Sequence, residues 1–241
     1  MIMKRNFKIM IFFLLTISIM ACKKNDPNDI PIKPLAALTI TNVISQGKFV
    51  RLNSNVIDSC ALNNYKIFTI VAGNPSPIKA FASSAPNTPY YHQSLNIAQG
   101  GIYSLYLTGT NATAEAVFVK DDIPPYPSDD VVNVRLVNLS PNAGVINVTL
   151  ASTPNVNLFT NVAYKQVTDF ITLPLPAVIP SGTNVFQFRN ATGTVLFTYT
   201  LPTTGTISIA SSRHRNITLA LKGILGGSGT DVLGVIGVPH Y

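Results

Sequence analysis

Past residue 35, apolar side chains alternate with polar ones or run in short β-branched bursts, and nowhere do they recur every 3.6 residues through three helical turns. The pattern predicts strands over 38–43, 66–71, 78–82, 94–97, 102–108 and 114–120. A second set follows over 132–139, 146–150, 161–164, 169–173, 184–189, 195–201, 206–210, 217–222 and 232–238. Ile102-Tyr103-Ser104-Leu105-Tyr106-Leu107-Thr108, ended by Gly109, is a clear instance. Gly, Asn and Pro punctuate these runs at short intervals, the spacing expected of an all-β sandwich.

The two sets are separated by Lys120-Asp121-Asp122-Ile123-Pro124-Pro125-Tyr126-Pro127-Ser128-Asp129-Asp130. Clustered prolines cannot feed a central strand, and paired aspartates prefer water, so the segment reads as a stiff, extended linker. Its flanks are alike. Thr39-Ile40-Thr41-Asn42-Val43 opens the first unit as Arg135-Leu136-Val137-Asn138-Leu139 opens the second, and the run ending at Gly109 parallels Ile217–Lys222 with Gly223. Order and spacing suggest a duplicated unit. The expected architecture is therefore all-β: two tandem Ig-like antiparallel β-sandwich domains, 36–120 and 131–241, joined by the 121–130 linker.

The N-terminus follows other rules. Lys4, Arg5 and Lys8 precede an apolar stretch from Ile9 to Met20, interrupted only by Thr16 and Ser18. At 12 residues it is shorter than the ~20 a spanning helix needs. A basic region, an apolar core and small residues are the order of a secretory signal, here 1–21. Ile19-Met20-Ala21-Cys22 resembles a bacterial lipobox, which implies that Cys22 carries diacylglycerol and becomes the new N-terminus. Residues 22–35, polar and proline-bearing, read as a flexible tether. Lys23 follows the cysteine, where an aspartate marks inner-membrane retention in some bacteria, so the outer membrane is expected, facing either periplasm or exterior.

Composition narrows the functional classes. Three of the 17 Lys+Arg lie in the signal, leaving 14 against 10 acidic residues, a net charge of +4. A mild, scattered excess is not a nucleic-acid footprint, which clusters on one face. Charged residues make up 11% and hydrophobic ones 46%, enough to fill a substantial core. With Cys22 lipidated, Cys60 is the sole remaining cysteine, which excludes a disulfide framework; it reads as a buried or half-buried thiol, with a reactive thiol the alternative.

The second unit carries a resemblance. Val134-Arg135-Leu136-Val137-Asn138-Leu139-Ser140-Pro141-Asn142-Ala143, with Val145-Ile146-Asn147-Val148, resembles the opening of the domain of unknown function 4397 family. Asn161-Val162-Ala163-Tyr164-Lys165-Gln166-Val167-Thr168-Asp169-Phe170 is similar to its middle motif, and Phe186-Gln187-Phe188-Arg189 with Val195-Leu196-Phe197 to its later strands. The resemblance runs over about 131–238. It implies a β-sandwich domain of secreted or anchored bacterial proteins, with no established catalytic residues to carry over. Read physically, residues 138–144 end a strand at a turn, and Tyr164 packs its ring inward with its hydroxyl on a backbone partner.

Candidate chemistry is sparse. His92, His214 and His240 are remote from one another and lack the ligand spacing of a zinc site. Glu115 is the only glutamate, and no G-x-S-x-G elbow is present, so an enzyme is not expected and no cofactor is implied. Asp121, Asp122, Asp129 and Asp130 could gather calcium or simply hydrate the linker. Arg213-His214-Arg215 is the one compact basic cluster in the two sandwich domains, suited to anionic headgroups or acidic sugars, or else a hairpin tip needing no ligand. Tyr90-Tyr91 offers rings that stack on sugars or partner surfaces, or that cover the edge of the first core. The expected function is that of a membrane-anchored, non-catalytic binding module for an envelope protein or glycan. A structural envelope component is the alternative, and a hydrolase is a more remote one.

Overall fold

The computed structural model describes residues 33–203 and 212–240, and those from Pro34 onward belong to one compact unit. The signal segment, Cys22 and the strand expected over 206–210 lie outside the described residues. The described residues form fifteen strands: β1 Leu35–Asn42, β2 Val50–Leu52, β3 Asn64–Val71, β4 Gly73–Ala82, β5 Pro89–Ile97, β6 Ile102–Gly109, β7 Ala114–Lys120, β8 Val131–Asn138, β9 Ile146–Leu150, β10 Thr153–Val162, β11 Ile171–Pro174, β12 Val185–Arg189, β13 Val195–Thr200, β14 Asn216–Lys222 and β15 Gly234–His240. The only helical turn among the described residues is the short 3₁₀ segment Gly229–Asp231.

Sheet order repeats. The first half forms β3-β1-β6-β7 over β2-β4-β5, and the second forms β11-β8-β14-β15 over β10-β9-β12-β13. Setting β8 on β1, β9 on β2 and β11–β15 on β3–β7 superimposes the two connectivities, with β10 the single addition. Side chains repeat with the strands. Asn42 donates its amide to Lys48 O (2.9 Å) and Cys60 O (3.5 Å), and Asn138 donates to Gly144 O and Val162 O (both 3.0 Å). Each asparagine's own carbonyl accepts the amide of a residue in the left-handed region, Asn63 (φ 55°) or Lys165 (φ 66°). Gly109 (φ 82°) and Gly223 (φ 86°) end the matching strands, and a Cβ at either would collide with backbone, of Thr113 and Val232 respectively.

The expected antiparallel sandwiches are present, and each half adds one parallel pair. β1 runs parallel to β6 (Ala37↔Ile102 to Asn42↔Leu107), and β8 runs parallel to β14 (Asn133↔Asn216 to Leu221↔Asn138). The first strand of each unit slots between two later ones, and a parallel neighbour needs the long crossover that the intervening strands supply.

Alternation along the inner strands sends one face into each core. Leu38, Ile40, Tyr103, Leu105 and Leu107 fill the first; Val134, Leu136, Phe186, Phe188 and Leu219 fill the second. On the inner strands the opposite faces do not meet water either. Val43, Tyr106, Val137, Leu139, Ala220 and Val238 form a third cluster, joining the outward faces of β3-β1-β6-β7 and β11-β8-β14-β15. The inner strands of these two sheets are therefore covered on both sides, which explains the near-continuous burial of β1, β6, β8 and β14.

Burial on both sides places polar residues in the seam. Thr108 Oγ1 donates to Leu139 O, and Glu115 accepts the hydroxyl of Tyr164 (3.2 Å) and pairs with Lys165. The Tyr164 hydroxyl thus meets side chains of the first unit, Glu115 and Thr108, instead of the backbone partner expected from sequence. Lys165, through its hydrogen bond, holds the Glu115 carboxyl below the usual carboxylate range. Asp121 corrects a further expectation: its side chain is fully buried, not hydrated. The rest of the 121–130 segment is strapped along the second unit, with Tyr126 donating to His240 O (3.0 Å) and Pro124 O accepting from Asn216 Nδ2.

Candidate binding surface

Of the residues singled out from sequence, Tyr90 stands at a cleft. Lys48, Ser84, Ala85, Thr88, Asn111 and Thr113 are among the side chains that line it with Tyr90, around about 350 Å³. Tyr90 begins β5, while Lys48 precedes β2 and Asn111 belongs to the β6–β7 turn, so three loops of one sandwich end converge. The turn is held in shape: Asn111 N donates to Ser45 O (3.0 Å), and the hydroxyls of Thr110 and Thr113 lie 2.8 Å apart. The Tyr90 hydroxyl donates to Asn111 Oδ1 at 2.6 Å, which fixes the ring across the cleft mouth. Partial burial raises the Tyr90 phenol's pKa, opposed by the backbone at Lys48, so the group stays a neutral donor.

Tyr91 points elsewhere. Its ring stacks near Phe118 (6.3 Å between centroids), and Phe118 stacks in turn on Tyr103, so Tyr91 covers the edge of the first core. Arg213-His214-Arg215 lies in the second unit at the start of β14. Arg213 is committed to structure: Nε donates to Leu175 O and Nη2 to Pro176 O, both at 2.8 Å, with Asp130 at 3.6 Å. His214, in the left-handed region (φ 59°), places Nδ1 3.2 Å from Pro127 O and Nε2 3.6 Å from Asp130. The cluster ties the 127–130 segment and the 175–176 loop to β14, with Arg215 beside it partly exposed. The tyrosine pair and the basic cluster sit on different units and line no common cleft among the described residues.

The three histidines are likewise separate. His92 is exposed on β5, His214 is exposed at its turn, and His240 is buried. Among the described residues no three metal-ligating side chains gather. Asp121 is engaged by Arg135 and Ser104, so its carboxylate is not free to join Asp122, Asp129 and Asp130 around a cation. Cys60 is fully buried, its Sγ lying 3.4 Å from both Ile40 O and Asn64 O, either of which can accept its single proton, and burial pushes the thiol's pKa up to about 12. At pH 8 only about one molecule in ten thousand would carry the thiolate, the reactive form. In the Cys22→Ser chain, a thiol reagent is expected to modify Cys60 at the rate of global unfolding. Modification of the native protein as fast as of the denatured chain would contradict this burial.

A second cleft, of about 460 Å³, opens where the units meet. Lys120, Asp122, Pro124, Thr168, Asp169 and Phe170 wall it, over Arg135 at its base. Sequence reading missed it. Arg135 was visible only as one polar position in an alternating strand, and nothing in that alternation distinguishes a side chain facing water from one facing another sheet.

No curated protein matches the chain. A family model does. The matched stretch starts at the first residue of β3 and ends within β9, so it takes five strands of the first unit and two of the second, overlapping the resemblance noted from sequence over 131–149. That family is described as a domain of unknown function (DUF4397), its model covers residues 64–149, and the chain carries a domain of it.

Proposed function

We propose that the chain is a lipid-anchored cell-envelope protein whose β-sandwiches serve as a non-catalytic binding module, with a glycan as the preferred ligand of the Tyr90 cleft. The observation that carries this reading is the lining of that cleft: one pinned tyrosine ring, an amide, several hydroxyls and a lysine on converging loops. A ring that presents both a face and fixed polar neighbours suits the alternating apolar and hydroxyl surfaces of a sugar. Anchorage rests on the N-terminal sequence. Lys4, Arg5, Lys8 and the Ile19–Cys22 lipobox supply export and a site for acylation, and two or more chains on Cys22 give an attachment that one chain would not.

The test uses the full chain in detergent micelles against envelope polysaccharides and envelope proteins. Tyr90→Ala is expected to weaken binding about tenfold, equivalent to 1.4 kcal/mol, while Tyr91→Ala lowers stability more than affinity. Equal binding by wild type and Tyr90→Ala, or binding to neither ligand class, would overturn the reading. For the anchor, a radiolabelled fatty acid is expected to enter the wild-type protein and not the Cys22→Ser chain.

A further inference from the structure

The edges of the sheets differ in how they are protected. An edge strand presents unpaired N–H and C=O groups and invites another strand, so proteins guard it with charge, proline, bulges or brevity. β3 carries Lys66 and β7 carries Glu115 and Lys120. β10 has Pro154 and three register shifts, β11 has four residues ending in Pro174, and β15 holds Pro239. β5 ends its sheet with nine residues, Pro-Tyr-Tyr-His-Gln-Ser-Leu-Asn-Ile, and no charged side chain. Its pairing to β4 is regular from Tyr91↔Ala80 through Leu95↔Ser76, so the central stretch is straight, and its one proline sits at the first position. β13 is also uncharged but has six residues.

We infer that β5 is a self-association edge, pairing antiparallel with β5 of a second copy to continue the sheet across a two-fold axis through Gln93. The strand's own pattern argues for this occupant. A two-fold antiparallel pair must be centred on a residue so that both copies keep their cores on the same side of the joined sheet. Gln93 is the middle of Pro89–Ile97. Centring there sets Gln93 opposite its counterpart, Tyr91 opposite Leu95, and His92 opposite Ser94. On the core side, Tyr91 and Leu95 are both partly buried neighbours of the first core, so ring meets leucine. Gln93 shares that side by alternation and meets its own copy between the two Tyr91–Leu95 pairs, while on the other side His92 meets Ser94. No like charges are brought together anywhere along the nine residues. The inference does not depend on a ligand in the Tyr90 cleft.

Disulfide trapping reads the register directly. Residues directly opposite in an antiparallel pair lie roughly 4.5–5.5 Å apart at Cα, within the range a disulfide bridges. Under mild oxidation the full chain carrying Gln93→Cys is expected to become mostly covalent dimer, against the baseline set by wild type with Cys22 and Cys60. His92→Cys alone faces Ser94 and stays near that baseline, whereas His92→Cys with Ser94→Cys cross-links. In sedimentation equilibrium in density-matched detergent, Gln93→Lys, which sets two ammonium groups opposite each other on an exposed position, is expected to weaken dimerisation at least about tenfold. A monomeric wild type, equal cross-linking by Gln93→Cys and His92→Cys, or species larger than a dimer joined through β13 would each overturn it.

Discussion

Replacing Arg135 with alanine is expected to destabilise the protein by about 3–5 kcal/mol, the range found when one member of a buried ion pair is removed. Arg135 is 4% exposed and the Asp121 side chain not at all. The guanidinium Nη2 donates to Asp121 Oδ1 (2.5 Å) and the Tyr106 hydroxyl (3.1 Å), and Nε donates to Thr218 Oγ1 (2.8 Å). Its carbon lies 4.8 Å from the centre of the Phe170 ring. Asp121 Oδ2 accepts from Ser104 Oγ at 2.7 Å, so both carboxylate oxygens are satisfied. Ser104 and Tyr106 belong to the first unit, Asp121 opens the linker that follows it, and Arg135, Thr218 and Phe170 belong to the second. Truncating the arginine leaves a carboxylate with no counter-charge between two sheets, and that uncompensated charge, more than any lost attraction, sets the magnitude. For a chain this long the thermal midpoint would fall by roughly 10 °C.

Arg135→Lys should recover little, because an ammonium cannot supply the planar fork that reaches Asp121, Tyr106 and Thr218 together. The deciding measurement is the double variant Arg135→Met with Asp121→Asn, in which the amide keeps an acceptor for Ser104 and no charge remains. Denaturant titrations are expected to find it more stable than Arg135→Met alone by about 2 kcal/mol or more. Additive losses would mean that the two side chains are not coupled across the seam.

The seam also marks the limit of what the sequence conveys. Strands with a clean core face were legible: 114–120 and 146–150 coincide with β7 and β9, and the β1, β3, β6, β12 and β14 readings differ by at most a few end residues. β2 escaped because three residues give no period, and Thr153–Asn157 of β10 because every residue there is exposed. The front of β5 was missed for a related reason: edge residues make few core contacts, so their order is not written as alternation. β15 begins later than expected and runs through Gly237 and Pro239, held by its pairing to β14 and not by propensity. Duplication was visible in Asn42 against Asn138 and Gly109 against Gly223, because a buried asparagine and a left-handed glycine are demanded by backbone geometry. The Tyr90 half of the candidate site was legible as an aromatic in a proline-rich loop. Its partners Lys48 and Asn111 were not, since only the folded loops bring them together. Asp121 looked hydrated because its partner, fourteen residues on, sits in another sheet.

His240 carries the second large effect, a loss of stability in acid. The ring is 2% exposed, with Nε2 2.6 Å from Thr218 Oγ1 and its edge against Phe170. Burial, and then the neighbouring Arg135 charge, depress its pKa from 6.5 to about 4, with Asp121 opposing. The folded protein therefore keeps His240 neutral while the unfolded chain protonates near 6.5. Between these values the unfolded state binds more protons, so stability must fall as pH falls through that window. The contribution is fully present above about pH 6.5 and fully lost below about pH 4, and the difference corresponds to roughly 3 kcal/mol. Glu115 and Asp58, both held low by lysine partners, add their own acid losses, so the wild-type profile alone is not diagnostic. His240→Gln separates them, since glutamine offers Thr218 a polar partner but does not titrate. Denaturant midpoints at pH 7 and pH 4.5 are expected to fall much further for wild type than for His240→Gln, and parallel losses in the two proteins would show that His240 protonates as readily folded as unfolded.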